Sequence, residues 1–132
     1  MVELDKRFFD EIVEHAMDEF PNEACGLIAA KEGRPVKLFR MRNADASPVS
    51  YRLDQKEQLL VFNEIDDEGW ELHGIYHSHT HSEAYPSETD RNQAFYSESK
   101  YLLLSLQDRE NPVIRAFEIN DGEIVEEDLS IA

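Results

Sequence analysis

The chain has 132 residues, of which 13 are Lys or Arg and 29 are Asp or Glu, giving a net charge of −16. That length and a hydrophobic content of 41% fit one folded domain, 1–132, with one core, while so negative a field repels a phosphate backbone and argues against nucleic acid. The longest apolar runs, Cys25–Ala30 and Tyr101–Leu104, are too short to cross a bilayer, and no basic segment leading into an apolar stretch opens the chain, so neither a membrane span nor a signal peptide is expected.

Residues Asp5–Phe20 carry apolar side chains at Phe8, Phe9, Ile12, Val13, Ala16, Met17 and Phe20. That spacing predicts an amphipathic helix, ended by Pro21-Asn22; a helix this apolar could also serve a homodimer. Ala24–Ala30 reads as a buried strand, 31–35 as a hairpin turn around Gly33, and Val36 to Met41 as a second strand. Cys25, the only cysteine, has no internal disulfide partner, which suits a cytoplasmic protein; in an apolar run its thiol is inert and structural. Arg34, Lys37, Arg40 and Arg42 form the only basic cluster. Asn43–Pro48 reads as a loop and Val49–Leu53 as a short strand. Asp54 caps a second helix that stops at 66–69. Glu71–His79 reads as a strand, Tyr85-Pro86 as a turn, and Ser87 as the cap of a third helix running to about Ser99. Tyr101–Leu106, Val113–Ile119 and Glu123–Val125 close the chain as strands, the last two joined through Asn120-Asp121-Gly122. Mixed helices and strands with hairpins at the end predict an α+β fold, a sandwich with a mixed sheet.

The stretch "GIYHSHTHSEAYPSETD", residues 74–90, carries the chemistry. Side chains at i and i+2 of a strand share a face, so His77 and His79 project together. They are two of the three protein ligands that a catalytic Zn²⁺ needs. Asp90, on the first turn of the next helix, can swing back as the third and leave the fourth position open. Each piece also has a plainer reading. His-x-His on a strand is often only hydrogen-bonded, and Ser87-x-x-Asp90 is close to a capping box that needs no metal. A cap and a ligand are compatible, because the cap fixes the helix start and so aims the carboxylate.

Taken together, His77-Ser78-His79, the seven-residue gap, Ser87 and Asp90, with Pro21, Glu23, Cys25 and Gly26 of "PNEACGLI" upstream, resemble the JAMM (MPN+) metallopeptidases in their minimal prokaryotic form. "LHGIYHSH" and Pro86 match as well. The one departure is Thr80, where the family usually has Pro, a change expected to alter loop stiffness rather than metal binding. The resemblance implies a cytidine-deaminase-like JAB/MPN core with a mostly antiparallel sheet flanked by helices. It implies one Zn²⁺ held by His77, His79 and Asp90, with Glu23 as general base and Ser87 as oxyanion stabiliser. Ser78, between the ligands, faces the other way and is expected to pack or to hydrogen-bond behind them. His81 is a candidate substrate contact, and His15 and His73 read as ordinary. The resemblance further implies hydrolysis of a peptide or isopeptide bond after the C-terminal Gly-Gly of a ubiquitin-like β-grasp sulfur carrier or modifier. The competing functions are a non-catalytic MPN scaffold, which usually lacks ligands, and a RadC-like repair protein, whose usual His-Asn-His-Pro-Ser-Gly differs from "HSHTHS". A zinc deaminase is excluded, since its His-x-Glu and Cys-x-x-Cys ligands are missing.

Overall fold

The structure, a computed structural model, describes residues 2–132. Helix α1 (Lys6–Glu19) begins where Asp5 accepts a hydrogen bond from the Arg7 amide at 3.0 Å, and it buries Phe8, Ile12, His15 and Ala16. Strands β2 (Cys25–Lys31) and β3 (Arg34–Met41) form a hairpin. Its two turn residues, Glu32 and Gly33, have φ of 53° and 79°, the positive values that suit the twist of a tight hairpin. Asp54 caps α2 (Gln55–Glu68) through the Glu57 amide at 3.1 Å, and Gly69 ends it in the left-handed conformation. Strand β4 (Glu71–His79) leads into a short α3 (Glu88–Asn92). Strands β5 (Lys100–Ser105), β6 (Val113–Asn120) and β7 (Glu123–Glu127) complete the sheet.

These strands form a six-stranded sheet in the order β3-β2-β4-β5-β6-β7. All neighbours are antiparallel except β4 and β5, which a crossover through α3 joins. The expected α+β sandwich is thus present. On one face α1 packs Phe8, Ile12 and Ala16 onto Ile28, Tyr76, Leu102 and Leu104. On the other, Val61 and Phe62 of α2 cover Leu27, Ile75, Tyr101 and Leu103. Each aliphatic side chain fully buried in these layers contributes about 1.5–3 kcal/mol relative to exposure. Gly26 allows the closest approach in the sheet, since a Cβ there would collide with the Tyr76 ring and the Phe39 carbonyl.

Two expectations need correction, and two features go beyond what was expected. The third helix stops at Asn92 rather than near Ser99. Tertiary bonds hold residues 93–99 as a loop: the Tyr96 amide donates to the Tyr101 hydroxyl at 3.0 Å, and Gln58 donates to the Tyr96 hydroxyl at 2.5 Å. Val49–Leu53 is not a strand but contributes one isolated bridge, Asn43↔Leu53, because the Asn43 side chain takes the Asp45 and Arg52 amides and the Ser50 carbonyl. A two-stranded parallel sheet of β1 (Val2–Leu4) and β8 (Leu129–Ile131) joins the two ends of the chain; three-residue strands are too short for a period to register. The basic cluster is not an open patch. Arg40 lies among Glu11, Glu14 and Asp18, Arg42 pairs with Asp54, and Lys37 pairs with Glu64. No helix among the described residues is long and apolar enough to cross a membrane.

His15 ties α1 to the strand that bears the site. Its buried Nδ1 is 2.7 Å from the Tyr76 hydroxyl, a hydrogen bond. Burial, helped by nearby Arg40 and opposed by Asp18, lowers its pKa from 6.5 to about 4. Above pH 6.5 the residue is neutral both folded and unfolded. Below it the unfolded chain takes the proton first, so stability falls as the pH drops towards 4. His15→Gln keeps a polar partner for Tyr76 without titrating. Urea unfolding should show the stability gap between wild type and this variant narrowing by about 2 kcal/mol from pH 7.5 to pH 5; a pH-independent gap would contradict the burial of a neutral imidazole.

Candidate active site

The alternation of β4 sets the site. Ile75, His77 and His79 point to the α2 face, whereas Tyr76 and Ser78 point to the α1 face. Antiparallel pairing with β2 matches Cys25 to His77, so Glu23, two residues before Cys25, falls opposite His79. Two bonds lock this extension of the register. Ser78 N donates to Ala24 O at 3.0 Å, and Ala24 N donates to Ser78 Oγ at 2.8 Å. Ser78 therefore backs the histidine pair through β2, as expected of a residue facing away from it.

Ser87 and Asp90 form a full capping box. The Asp90 amide donates to Ser87 Oγ at 3.1 Å, and the Ser87 amide donates to Asp90 Oδ2 at 2.9 Å. The same Oδ2 lies 2.9 Å from His79 Nε2 and 3.1 Å from His77 Nε2. His79 Nδ1 donates to the Glu83 carbonyl at 2.8 Å, which holds a proton on Nδ1 and makes Nε2 the nitrogen that can give up its own proton and ligate. The Tyr51 ring stacks on His77 with centroids 4.2 Å apart. His77, His79, Asp90 and Glu23 are all buried, and Ser87 is half-buried at the rim.

Burial sets the electrostatics, and the charges nearby modify it. Burial holds His77 below its ordinary pKa against the pull of Asp90, which favours the neutral, ligating form. Burial works the same way on His79, but hydrogen bonds to Asp90 and Glu83 raise it. Burial opposes the Asp90 charge, yet the imidazoles and the Ser87 amide hold its carboxyl well below the usual range. Burial pushes Glu23 up to about 8, with His79 pulling it down and Asp90 pushing it up. Burial also pushes Cys25 up to about 12, so its thiol is inert, as the apolar run suggested.

The donor set fits a metal ion. Two imidazole nitrogens and a carboxylate oxygen lie within 4.8 Å of one another, and ligand atoms around a tetrahedral ion with ~2.0 Å bonds sit about 3.3 Å apart. His77 Nε2, though 3.1 Å from Asp90 Oδ2, makes no well-formed hydrogen bond and is left buried without a partner among the described residues, as are His77 Nδ1 and Glu23 Oε1 here and His73 Nε2 outside the site. Such orphaned groups are costly, and those of the site point to a ligand between them.

All five residues singled out in the sequence lie in this corner of the fold, while His15, His73 and His81 lie outside the cluster. His81 is exposed, with its ring 5.6 Å from Phe20. Sequence reading missed Tyr51 and Asn43. The only signal was that the loop they bracket, "NADASPVSY", keeps an aromatic ring and a side-chain amide in polar surroundings.

The chain is similar to known proteins. The family described as prokaryotic homologs of the JAB domain matches residues 5–120. The chain belongs to the prokaryotic JAB family. It is 42% identical to a CysO-cysteine peptidase of Mycobacterium tuberculosis over 91% of this chain and 84% of that one. It is 35% identical to a desampylase of Haloferax volcanii over 73% and 74% of the two chains. With such relatives, this JAB protein is a hydrolase. A solved structure from Desulfitobacterium hafniense superposes with a TM-score of 0.88 at 32% identity, covering 100% of this chain and 93% of that one. A JAB1/MPN domain protein from Archaeoglobus fulgidus, at 17% identity and a TM-score of 0.66 over 99% and 98% of the chains, shares the fold.

In this JAB protein Thr80 stands where the resemblance implied a proline. Its side chain is buried, and its hydroxyl donates to the Pro48 carbonyl at 3.0 Å, a bond that proline cannot make. The capping box also bears on stability, since it starts the helix that carries Asp90. Ser87→Ala should lower the unfolding free energy by about 1 kcal/mol in urea titrations, and Ser87→Asn, an equally good cap, should recover most of it. Equal stability of the alanine variant would mean that the cap does not hold α3.

Proposed function

We propose that this JAB hydrolase is a zinc peptidase, one catalytic domain over 1–132, that cuts after the C-terminal glycine of a ubiquitin-like β-grasp carrier or modifier. The observation that carries the reading is the convergence of His77 Nε2, His79 Nε2 and Asp90 Oδ2 next to a buried, unpartnered Glu23 Oε1. The names of the mycobacterial and haloarchaeal relatives support the substrate class. A tail ending in Gly-Gly also suits the site, since only glycine lets a backbone approach a buried metal corner closely.

His77, His79 and Asp90 would hold the zinc ion. Zinc supplies a Lewis acid there, which brings the pKa of water from 15.7 towards about 7. Glu23 takes the proton of the attacking water at Oε1 and passes it to the departing amine. Its burial keeps that proton from exchanging with bulk solvent. Ser87 Oγ already accepts from the Asp90 amide, which leaves its O–H to donate to the carbonyl oxygen as negative charge grows on it. The Glu83 carbonyl keeps His79 in the ligating tautomer.

The test incubates zinc-loaded protein with a CysO-type carrier ending in Gly-Gly and extended by one cysteine, and in parallel with an isopeptide conjugate of a β-grasp modifier. Mass spectrometry then locates the cut. Cleavage of neither would refute the reading. Glu23→Gln should keep full zinc content by atomic absorption and lose turnover by about 10²–10⁴-fold, the usual worth of a positioned base; undiminished hydrolysis would remove Glu23 from that role. Asp90→Ala should lower zinc occupancy sharply at micromolar metal, whereas full occupancy would reduce Asp90 to a helix cap.

A further inference from the structure

The strongest unassigned feature is a hydrogen-bond hub outside the ligand cluster, in the loop between β3 and α2. Asn43 is polar, exposed by only 8%, and every donor and acceptor of its amide is used. Its Nδ2 donates to Glu23 O at 3.1 Å and to Ser50 O at 3.0 Å. Its Oδ1 accepts from Asp45 N at 3.0 Å and from Arg52 N at 3.1 Å. Glu23 N in turn donates to Ser47 O at 2.9 Å. Both main-chain polar groups of Glu23 are therefore held by residues 43–47, not by the sheet that holds Cys25. The loop then returns the Tyr51 ring onto His77, at 4.2 Å and 21° between planes. It is fastened a third time where the Thr80 hydroxyl donates to Pro48 O at 3.0 Å.

We infer that Asn43 is a positioning residue for the general base: its side-chain amide clamps the main chain of Glu23 to a loop that also packs on His77. The inference rests on Glu23 being the base of the proposed hydrolysis. The physical reason is reach. Glu23 lies past the paired end of β2, where no ladder bond to β3 fixes it, and a general base must hold its proton acceptor within a few tenths of an ångström. A side-chain amide is the one group that can donate to two carbonyls and accept from two amides at a single point. One loop thereby ties the base and a metal ligand to each other.

Asn43→Asp tests this, since it keeps the shape and the acceptor oxygen while removing both donors. Amide exchange followed by NMR on the zinc-loaded protein should show protection of the Glu23 amide falling at least tenfold, with the amides of β5 unchanged. With the carrier–cysteine adduct as substrate, kcat should fall at least tenfold, with KM within twofold and zinc content unchanged. In a Glu23→Gln background the same substitution should change the residual rate by less than twofold, because no base remains to be positioned; a merely structural role would cost the same in both backgrounds. Thr80→Val, which removes only the hydroxyl that holds Pro48, should shift both readouts in the same direction by several-fold and serves if the Asn43 variant does not fold. Unchanged exchange at Glu23, or equal losses with and without the carboxylate, overturns the inference. Full activity of Glu23→Gln alone would instead overturn the role of Glu23, and the exchange data would still judge the clamp.

Discussion

The site depends on β4 remaining extended through its last residue. Only an extended strand turns His77 and His79 to one face while Tyr76 and Ser78 go to the other. That geometry is hard to keep at a strand end, where pairing usually frays. Here it is kept from both sides. The antiparallel bond from Ser78 N to Ala24 O is on one flank, and the parallel pairing of His77 and His79 with Leu103 and Ser105 is on the other. The Leu106 amide adds a last bond to His79 O at 2.9 Å. A central strand position is thus a condition for the chemistry, because an edge strand would hold only one side of the pair.

The corner so formed is destabilising in itself. Glu23, His77, His79 and Asp90 are all buried, and buried ionisable groups cost free energy unless they are paired and hydrogen-bonded. The surrounding residues offset part of this cost in ways that also fix geometry. Glu83 O takes the outer nitrogen of His79, the Ser87 amide takes Asp90, and Asn43 takes the main chain of Glu23. What they leave unsatisfied is both ring nitrogens of His77 and Glu23 Oε1. The rest of the domain supplies the stability that this corner lacks, through two apolar layers on either side of the sheet.

Much of this was legible in the sequence because its causes are local. Alternation at 73–79, the caps Asp54 and Ser87, and Gly69 as a stop all act within a few residues. The spacing of His77, His79, Ser87 and Asp90 survived translation into three dimensions for the same reason: one strand, one turn and one helix start carry all four. The misreadings arose where distant contacts override local preference. The segment after Asn92 has side chains that would tolerate a helix, yet Gln58 and Tyr101 hold it open. Val49–Leu53 has strand-like residues, yet a single asparagine consumes the groups that a ladder would use. The roles of Asn43 and Tyr51 carry no period at all, since a loop acts on its target through space.

The sequence allowed Ser87-x-x-Asp90 to be a helix cap, part of a metal site or both, and the cap is present. A carboxylate oxygen has more than one lone pair. Asp90 Oδ2 accepts from the Ser87 amide at 2.9 Å while facing both imidazole nitrogens within 3.1 Å. The cap determines where that oxygen points. Without it, a five-residue helix would be too short to hold its own first turn, given the cost of nucleation. Capping therefore acts before any ligand arrives: it orders the carboxylate during folding, so less conformational entropy is left to lose when a cation binds. As a cap the Ser87 oxygen accepts from the Asp90 amide, which leaves its O–H free to donate.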